Sequence, residues 1–331
     1  FLLKNFYCFD LIMAILTMDL HTHLLEKKIK SEEYWGRVKK RKLDVVAITE
    51  HIEEDPKLAF ETVSKNKPRN VVLIPGMELN TSIGHVVALS ASPSIYKLAP
   101  LMKKGVDIKK AIKIAKKNNV LLSIAHPWGF KYDSAYSLLG EKRLTRFVKE
   151  NDIGVEAFNG MMGHVGSFVY GTDWVRKPLN FLDFLEKNRI TRKARLDKIG
   201  KKIRKKLDIK SREVAERCTK PIELGGSASF ITAGSDAHSA SRIGSGILKI
   251  KMRKQKLNAE KIIAALRDRS NVVWAGPFVE ERKDGSYKIV KERPYRSEII
   301  SGLKYATIST GKKGLGNLGS KIKKRIKRVK E

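Results

Sequence analysis

Seven short apolar runs rich in β-branched residues recur along the chain, and most are separated by segments with the spacing of amphipathic helices. Residues 31–42 and 107–118 have this helical spacing, and Asp107 is the predicted N-cap of the second. Alternation of the two kinds of segment predicts repeated βα units, hence an α/β fold with a mostly parallel sheet. The seven runs read DLHTH, LDVVAIT, VVLIPGMEL, HVVALS, VLLSIAHP, IGVEAFNG and FITAGSDAH.

The alternation of strand-like and helical segments is interrupted between the sixth run and the seventh. A Lys/Arg-rich stretch with helical spacing occupies residues 191–220, and its basic residues lie around a single apolar stripe. We therefore predict an inserted basic helical subdomain over residues 161–226. The stripe consists of Leu196, Ile199, Ile203 and Leu207.

The seven runs predict one barrel-like domain over residues 18–276, ending with a helix at 259–267 and a strand-like NVVWAG. Residues 277–310 form a C-terminal extension. A tail over 311–331 follows, with nine basic residues and one acid. The apolar residues 1–17 are interpreted as a leader that is an artefact of translation upstream of a true start at Met18, with a short anchor or an added strand as alternatives.

Charge and cysteine content limit the partners and the setting. Lys plus Arg outnumber Asp plus Glu by 68 to 35, a formal net charge of +33 that attracts polyanions. The basic insertion and tail are therefore expected to contact nucleic acid non-specifically, and no membrane association is expected. Two cysteines are too few for a disulfide framework or a thiolate zinc site, so a cytoplasmic location is predicted.

Six of the seven histidines fall in five short motifs next to the strand-like runs, and His164 is the one left over. Active sites of α/β barrels are built where strands end, so the motifs are expected to meet at that face. The motifs are Asp19-Leu20-His21-Thr22-His23, Ile48-Thr49-Glu50-His51, Gly76-Met77-Glu78 with His85 seven residues later, Ala125-His126-Pro127, and Gly234-Ser235-Asp236-Ala237-His238.

These residue types predict a metal site. His21 and His23 are two apart on a strand, so both side chains point to the same side. Mixed imidazole and carboxylate ligands suit Zn²⁺, Mn²⁺ or Fe²⁺, and the number of donors predicts two or three divalent ions. The predicted ligands are His21, His23, His51, Glu78, His85, His126, Asp236 and His238.

Such a cluster is typical of phosphoester hydrolysis, with a metal-bound hydroxide as nucleophile. The substrate is a phosphorylated small molecule or a phosphodiester in nucleic acid, and the sequence leaves both open. We predict that His238 and Arg242 act in catalysis, with the guanidinium of Arg242 gripping a phosphate. Glu156 and Asn159, at another strand end, are interpreted as residues that orient a ligand, touch substrate or shape a turn.

The ordered motifs resemble the PHP (polymerase and histidinol phosphatase) family of metal-dependent phosphoesterases over about residues 18–250. The resemblance implies a distorted seven-stranded β/α barrel, similar to a TIM barrel, with two or three metal ions. It also implies three ligand sets: His21, His23, Glu78 and Asp236 for one ion, Glu78, His85 and His126 for a second, and His51 with His238 for a third.

Two positions depart from the family pattern. Glu50 stands where many relatives have Asp. Lys28 stands where many have an Asp or His ligand, and Glu26 is the nearest carboxylate that would replace it.

Two other classes of protein share part of the pattern. An amidohydrolase-type barrel also begins with HxH and uses a late Asp, but it does not require Glu78 or His238. A non-catalytic RNA-binding barrel, similar to the protein subunits of ribonuclease P, would explain the basic charge. It would not require the complete ligand set that this chain carries.

Overall fold

The computed structural model describes residues 13–129, 134–164, 187, 217–253 and 256–290. Apart from His164 and Lys187, these residues belong to one structural unit. Most of the predicted insertion and all of the basic tail lie outside the described residues. Within the described ranges, no helix has the length and apolar character needed to cross a membrane.

Eleven strands are present in the described residues, nine of them in one mixed sheet and two in a separate hairpin. The strands of the sheet are β1 (Met13–Thr22), β2 (Val45–Ile48), β3 (Val72–Thr81), β4 (Gly84–Leu89), β5 (Leu121–Ile124), β6 (Gly154–Asn159), β7 (Ile231–Gly234), β8 (Gly246–Arg253) and β9 (Val272–Pro277), and the hairpin is β10 (Val279–Glu281) with β11 (Tyr287–Ile289). Their order in the sheet is β7-β6-β5-β4-β3-β2-β1-β8-β9.

Helices connect most of the strands. The α-helices with defined bounds are α1 (Ser31–Lys40), α2 (Pro56–Ser64), α3 (Ile108–Lys117), α4 (Ala135–Leu139), α5 (Glu141–Glu150) and α6 (Ala259–Leu266). Residues 160–164 and 217–225 are also helical. Short 3-10 helices occupy Ile52–Glu54, Pro93–Lys97, Ala99–Leu101, Ala240–Arg242 and Arg269–Asn271.

All seven predicted runs form strands, because their apolar residues are buried on both faces of the sheet. Strand β2, for example, is buried over its whole length. The predicted helices α1, α3 and α6 are confirmed, and the carboxylate of Asp107 caps α3 by accepting from the amide of Lys110 at 2.9 Å. Strand β8 and the β10–β11 hairpin were not predicted.

A mostly parallel sheet was expected, and β4 is the exception among the seven predicted strands. Strand β4 pairs antiparallel with both β3 and β5, while β1–β2–β3 and β5–β6–β7 are parallel. A tight hairpin joins β3 to β4, so the chain turns back without a crossover helix. As a result His85 lies near the start of its strand, not the end, yet at the same edge of the sheet as the other histidines.

The sheet is nearly closed and barrel-like, and it contains nine strands instead of the seven expected. The end of β7 approaches β1, where the amide of Asp236 donates to the carbonyl of His21 at 2.8 Å. Strands β8 and β9 continue the sheet from β1 with antiparallel pairing. Residues 13–17, which the sequence analysis assigned to a leader, form the first half of β1 and pair with residues 249–253 of β8.

Candidate metal centre

The eight predicted metal ligands lie together at one edge of the sheet. They come from six strands and the turns that follow them, and the antiparallel β4 contributes from its beginning. Groups of their donor atoms lie within 4.8 Å of one another and are able to hold a metal ion. Three of these groups are His21, His23 and Asp236; His51, Glu78 and His85; and His23, His51 and His238.

The Glu78 carboxylate lies at the centre of the cluster, and its two oxygens face different histidines. A buried carboxylate in this position has the geometry of a ligand shared between two ions. Its Oε1 lies 2.9 Å from His85 Nδ1 and 3.1 Å from His126 Nε2, while Oε2 lies 3.1 Å from His51 Nδ1, 3.3 Å from His21 Nε2 and 3.5 Å from His23 Nε2.

Four donors form a fully buried group: His21 Nε2, His23 Nε2, Glu78 Oε2 and Asp236 Oδ1. The distances from Asp236 Oδ1 to His23 Nε2 and His21 Nε2 are 3.3 and 3.8 Å. Ligands about 2.0–2.1 Å from a tetrahedral zinc ion lie roughly 3.3 Å from one another, close to these distances. The two histidine nitrogens and Glu78 Oε2 are buried without a hydrogen bond, which fits a group of donors arranged for a cation.

A more exposed group lies beside the buried one. The Oε2 atom of Glu26 is 2.9 Å from His238 Nε2 and 3.7 Å from His51 Nε2. The Nδ1 atom of His238 lies 2.9 Å from the carbonyl oxygen of Asp236, to which it donates when Nε2 is free to bind. Glu26, the carboxylate nearest in sequence to Lys28, therefore faces both histidines.

Glu156 and Asn159 orient the buried group from behind. Glu156 Oε1 accepts from His21 Nδ1 at 2.9 Å, so Nε2 of this ring faces the cluster. Its Oε2 accepts from the backbone amide of His126 at 2.6 Å and from Asn159 Nδ2 at 3.0 Å. Asn159 also donates to Asp236 Oδ2 at 3.2 Å. Of the roles considered from sequence, orientation of ligands is the one that these contacts support.

Glu50 holds His23 and the loop that follows it. Its Oε2 accepts from the amides of Leu24 at 2.7 Å and Leu25 at 2.6 Å, and its Oε1 lies 3.4 Å from His23 Nδ1. The negative charge of Glu50 lies beside Nδ1 of the His23 ring, and Nε2 of the same ring faces Asp236. From the sequence, Glu50 was recognised only as a departure from the family pattern, and this role was missed.

Asp19 was missed as a positioning residue, although it opens the first motif. Its carboxylate accepts from the amides of Ser235 at 2.8 Å, Gly244 at 2.7 Å and His21 at 3.3 Å. Burial raises the pKa of Asp19 to about 6, against the lowering effect of these hydrogen bonds. One side chain thus fixes the ends of β1 and β7 relative to each other.

Two of the ligands have a backbone conformation that is unfavourable for residues other than glycine. His126 has φ of 27° and Asp236 has φ of 51°, and each lies two residues after the end of a strand. Each such conformation costs roughly 1–3 kcal/mol. Left-handed backbone turns the side chain sharply at the strand end, and such strain concentrates at functional sites.

The electrostatics of the cluster couple its acids and histidines. Burial alone would lower the pKa of His23, but its contacts with Asp236 and Glu50 raise it to about 9. Burial likewise opposes the charges of Glu156, Asp236 and Glu78, which hold the pKa of His21 well above its usual value. Burial would raise the pKa of Glu78 and Asp236, yet the neighbouring histidines hold both well below the usual range. The carboxylates are thus ionised and demand positive charge from protons or metal ions.

Arg242, predicted to bind a phosphate, lies in the 3-10 helix Ala240–Arg242 and is buried. Its charge contributes to lowering the pKa of Arg41 to about 10, after burial of Arg41 and the charge of Arg37. His164 is half-buried at the end of the described helical residues 160–164.

Arg217 and Trp128, beside the turn after β5, complete the surroundings of the cluster. The Nη1 atom of Arg217 donates to the carbonyls of Gly129 at 2.7 Å and Trp128 at 3.3 Å. Trp128 is buried and stacks on Tyr136 with ring centroids 5.5 Å apart. The tryptophan therefore shapes the turn, and Arg217 is a cation near His126 that was not singled out from the sequence.

Fold and cluster together define a protein with a carboxylate-bridged group of histidines at one edge of a mixed, nearly closed sheet. Residues 230–271 match the family model described as PHP-associated. The match confirms the resemblance to the PHP family, and it includes the segment that carries Asp236 and His238. No curated protein matches the chain.

Two solved structures are similar to this one. One is a two-domain protein from Bacteroides vulgatus ATCC 8482 that contains a predicted PHP-like metal-dependent phosphoesterase; its identity is 18% and its TM-score 0.48, over 78% of this chain and 64% of that one. The other is PsfC from Pseudomonas syringae PB-5123, with 14% identity and a TM-score of 0.46 over 89% of this chain and 99% of that one. The chain thus spans 64% of the length of the Bacteroides protein.

Proposed function

We propose that this protein is a metal-dependent phosphoesterase whose cluster binds two or three divalent ions and hydrolyses a phosphomonoester or phosphodiester. The observation that carries the proposal is the position of Glu78 between two sets of histidines, with buried donor atoms that have no hydrogen bond. Buried histidines with a purely structural role would be expected to have hydrogen-bond partners on their ring nitrogens.

The ligand groups divide the work as follows. His21, His23, Glu78 and Asp236 would hold a first ion; Glu78 with His85 and His126 would hold a second; and His51, His238 and Glu26 would hold a third. Divalent ions bound so close together lower the pKa of water and neutralise the charge of a phosphate. The set of imidazoles and carboxylates favours Zn²⁺, Mn²⁺ or Fe²⁺.

The chain's own residues keep the donors in place. Glu156 fixes the tautomer of His21 by accepting from Nδ1, and the Glu50 carboxylate lies 3.4 Å from His23 Nδ1. His238 lies at the exposed side of the cluster, where a substrate enters, and its contact with Glu26 positions the ring. Arg242 stays a candidate for phosphate binding.

Two finer features belong to the same proposal. Strands β1–β7 make up the distorted seven-stranded barrel of the PHP type, supported by the hydrogen bond between Asp236 and His21 that joins β7 to β1. Strands β8 and β9 then extend that barrel. A cytoplasmic location is in keeping with the low cysteine content.

Metal analysis and two chromogenic substrates test this function. The purified full chain is analysed for Zn, Mn and Fe by mass spectrometry, then assayed on p-nitrophenyl phosphate and bis-p-nitrophenyl phosphate with added Mn²⁺ or Zn²⁺. We expect two to three equivalents of metal and turnover of at least one substrate. Removal of metal by a chelator should abolish turnover, and adding metal back should restore it.

The same assay distinguishes the monoesterase from the diesterase by the ratio of the two rates. A chain that binds no divalent metal and turns over neither ester contradicts the proposal. A chain that binds metal and hydrolyses only amide or lactone substrates would instead be an amidohydrolase-type enzyme.

A further inference from the structure

Helix α3 and the turn before it form an exposed surface that is rich in lysine and contains one acidic residue. We define the lysine surface as Lys103, Lys104, Lys109, Lys110, Lys113, Lys116 and Lys117. All seven side chains are exposed. None forms an ion pair within the described part of the chain, and Asp107 is the single acid among residues 103–117.

The helical lysines point in one direction. Successive residues of an α-helix are separated by about 100°, so the five lysines from 109 to 117 fall within about 120° of the circumference. The opposite side of α3 is buried in the core through Ile108, Ala111 and Ala115. The lysines thus form a continuous strip, and the roughly 10 Å from Lys109 to Lys116 matches about three phosphates of one nucleic-acid strand.

This arrangement is unfavourable for the helix by itself. Like charges four residues apart, such as Lys109 with Lys113 and Lys113 with Lys117, destabilise an isolated helix. Lys109 and Lys110 also lie in the first turn, where the helix dipole disfavours positive charge. Helix α1 shows the usual arrangement, with Glu32 and Glu33 in its first turn and basic residues in its last. Departures from local stability rules without a structural gain are expected at functional surfaces.

The turn before α3 is attached to the β3–β4 strand pair. The amide of Gly105 donates to Asn80 Oδ1 at 3.2 Å, and the amide of Val106 donates to the carbonyl of Asn80 at 3.1 Å. Asn80 pairs directly with His85 across the β3–β4 hairpin. Lys103 and Lys104 therefore belong to a turn that is fastened to the strand pair holding two of the predicted metal ligands.

We infer that the lysine surface binds the phosphate backbone of a nucleic acid and leads that strand toward the metal centre. The inference deepens the proposed function, because it selects a phosphodiester in nucleic acid as the substrate class, and its direction toward the site rests on that function. The binding itself does not depend on catalysis. Unpaired lysines on a rigid helix bind phosphates as point charges and release counterions, which makes binding depend on salt.

A triple variant of the full chain tests the surface. Lys109→Gln, Lys113→Gln and Lys116→Gln are combined, and the control combines Lys39→Gln, Lys40→Gln and Lys65→Gln, three exposed lysines on or near α1 and α2. Binding of a fluorescein-labelled 20-nucleotide single-stranded RNA is followed by anisotropy at salt concentrations from about 50 to 300 mM. For three lost contacts, the slope of log K against log salt should become shallower by about 2 in the α3 variant and much less in the control.

The outcomes separate this inference from its alternatives. Equal losses in both triple variants, or no RNA binding by the unmodified chain at 50 mM salt, would overturn it. Loss of binding to vesicles with 30% phosphatidylserine, with unchanged RNA binding, would assign the surface to membranes and also overturn it. Circular dichroism checks folding, and the single variant Lys113→Gln, with an expected slope change of about 0.7, replaces the triple variant if that one unfolds.

Hydrolysis of p-nitrophenyl esters distinguishes the two proposals. The α3 variant should retain the small-ester rate of the unmodified chain, since none of its changed residues lies in the metal cluster. RNA binding that depends on α3 without any ester hydrolysis would refute the proposed function and leave the lysine surface standing.

Discussion

The metal cluster has two halves that differ in exposure. In the buried half, the side chains of His21 and His23 are 1% and 0% exposed, and Asp236 is equally inaccessible. In the open half, those of His51 and His238 are 22% and 27% exposed. Glu78 touches donors from both halves.

Because they differ in exposure, the two halves are expected to differ in how they bind ions and substrate. A buried, pre-arranged set of donors binds an ion tightly and exchanges it slowly, because each donor already lacks water. An exposed set leaves room for water and substrate next to the ion, as catalytic metal sites require. The buried half is therefore expected to keep its ion through purification, and the open half to exchange its ion with the medium.

Truncating a ligand of the buried half should have the largest effect. His21→Ala or Asp236→Ala removes a donor of the buried group, which Glu156 orients at His21 and Asn159 orients at Asp236. Turnover should therefore fall to background, and the tightest-bound metal should be lost. Steady-state assays with metal analysis measure both. Wild-type-like rates in both variants would refute the assignment of the site.

Changing a supporting carboxylate of the buried half should have a smaller effect. Glu156→Gln keeps the shape of the side chain but weakens the contact with His21 Nδ1, so metal affinity or turnover should fall by roughly 10–100-fold. Metal affinity is measured by competition with a chelator of known affinity. A purely structural role would lower the melting temperature without changing metal affinity, which would rule out the positioning role.

The same change in the open half should act on one ion alone. Glu26→Gln should lower metal content by up to one equivalent while the buried ion stays bound, because the Glu26 carboxylate faces His51 and His238 of the open half. The exposed surface variant Glu61→Gln serves as the control and should bind the full complement. Unchanged stoichiometry in Glu26→Gln would place the third ligand elsewhere.

Removing the basic tail should leave both halves intact. Deletion of residues 311–331 takes away nine basic residues, so nucleic-acid binding and its salt dependence should weaken while small-ester turnover is unchanged. Anisotropy titrations and chromogenic assays on the same preparation measure the two effects. Unchanged nucleic-acid binding would contradict the proposed contribution of the tail and leave α3 as the proposed binding surface.

Periodicity and motif order predicted much of the fold and the cluster. The seven apolar runs became strands because their burial on both faces follows directly from composition. The eight ligands converged, because residues near strand ends at one edge of a sheet must meet. The antiparallel direction of β4 was not predicted, since the hairpin after Thr81 lacks an Asn-Gly or Asp-Gly signal. Strand β8 was not predicted because lysines interrupt its apolar residues, although most of the strand is buried.

Supporting residues were harder to predict than ligands. Glu156 contacts His21 across 135 positions of the chain, and Asp19 contacts Gly244 across 225. No local spacing reveals such pairs, because they depend on how the ends of distant strands come together. Their signal in the sequence is limited to acids in or beside otherwise apolar strand-like runs, which is where Asp19, Glu50 and Glu156 all occur.

The junction of β1 with β7 has a consequence for how the protein comes apart. His21 and His23 lie at the end of the first strand and Asp236 follows the seventh, so an ion held by these three residues would cross-link chain segments more than two hundred residues apart. By the chain-entropy estimate used for disulfides, closing a loop of that length restricts the unfolded chain by up to about 5 kcal/mol. The ion would then act as a removable staple, and its withdrawal would let proteases reach the molecule first where those two strands meet.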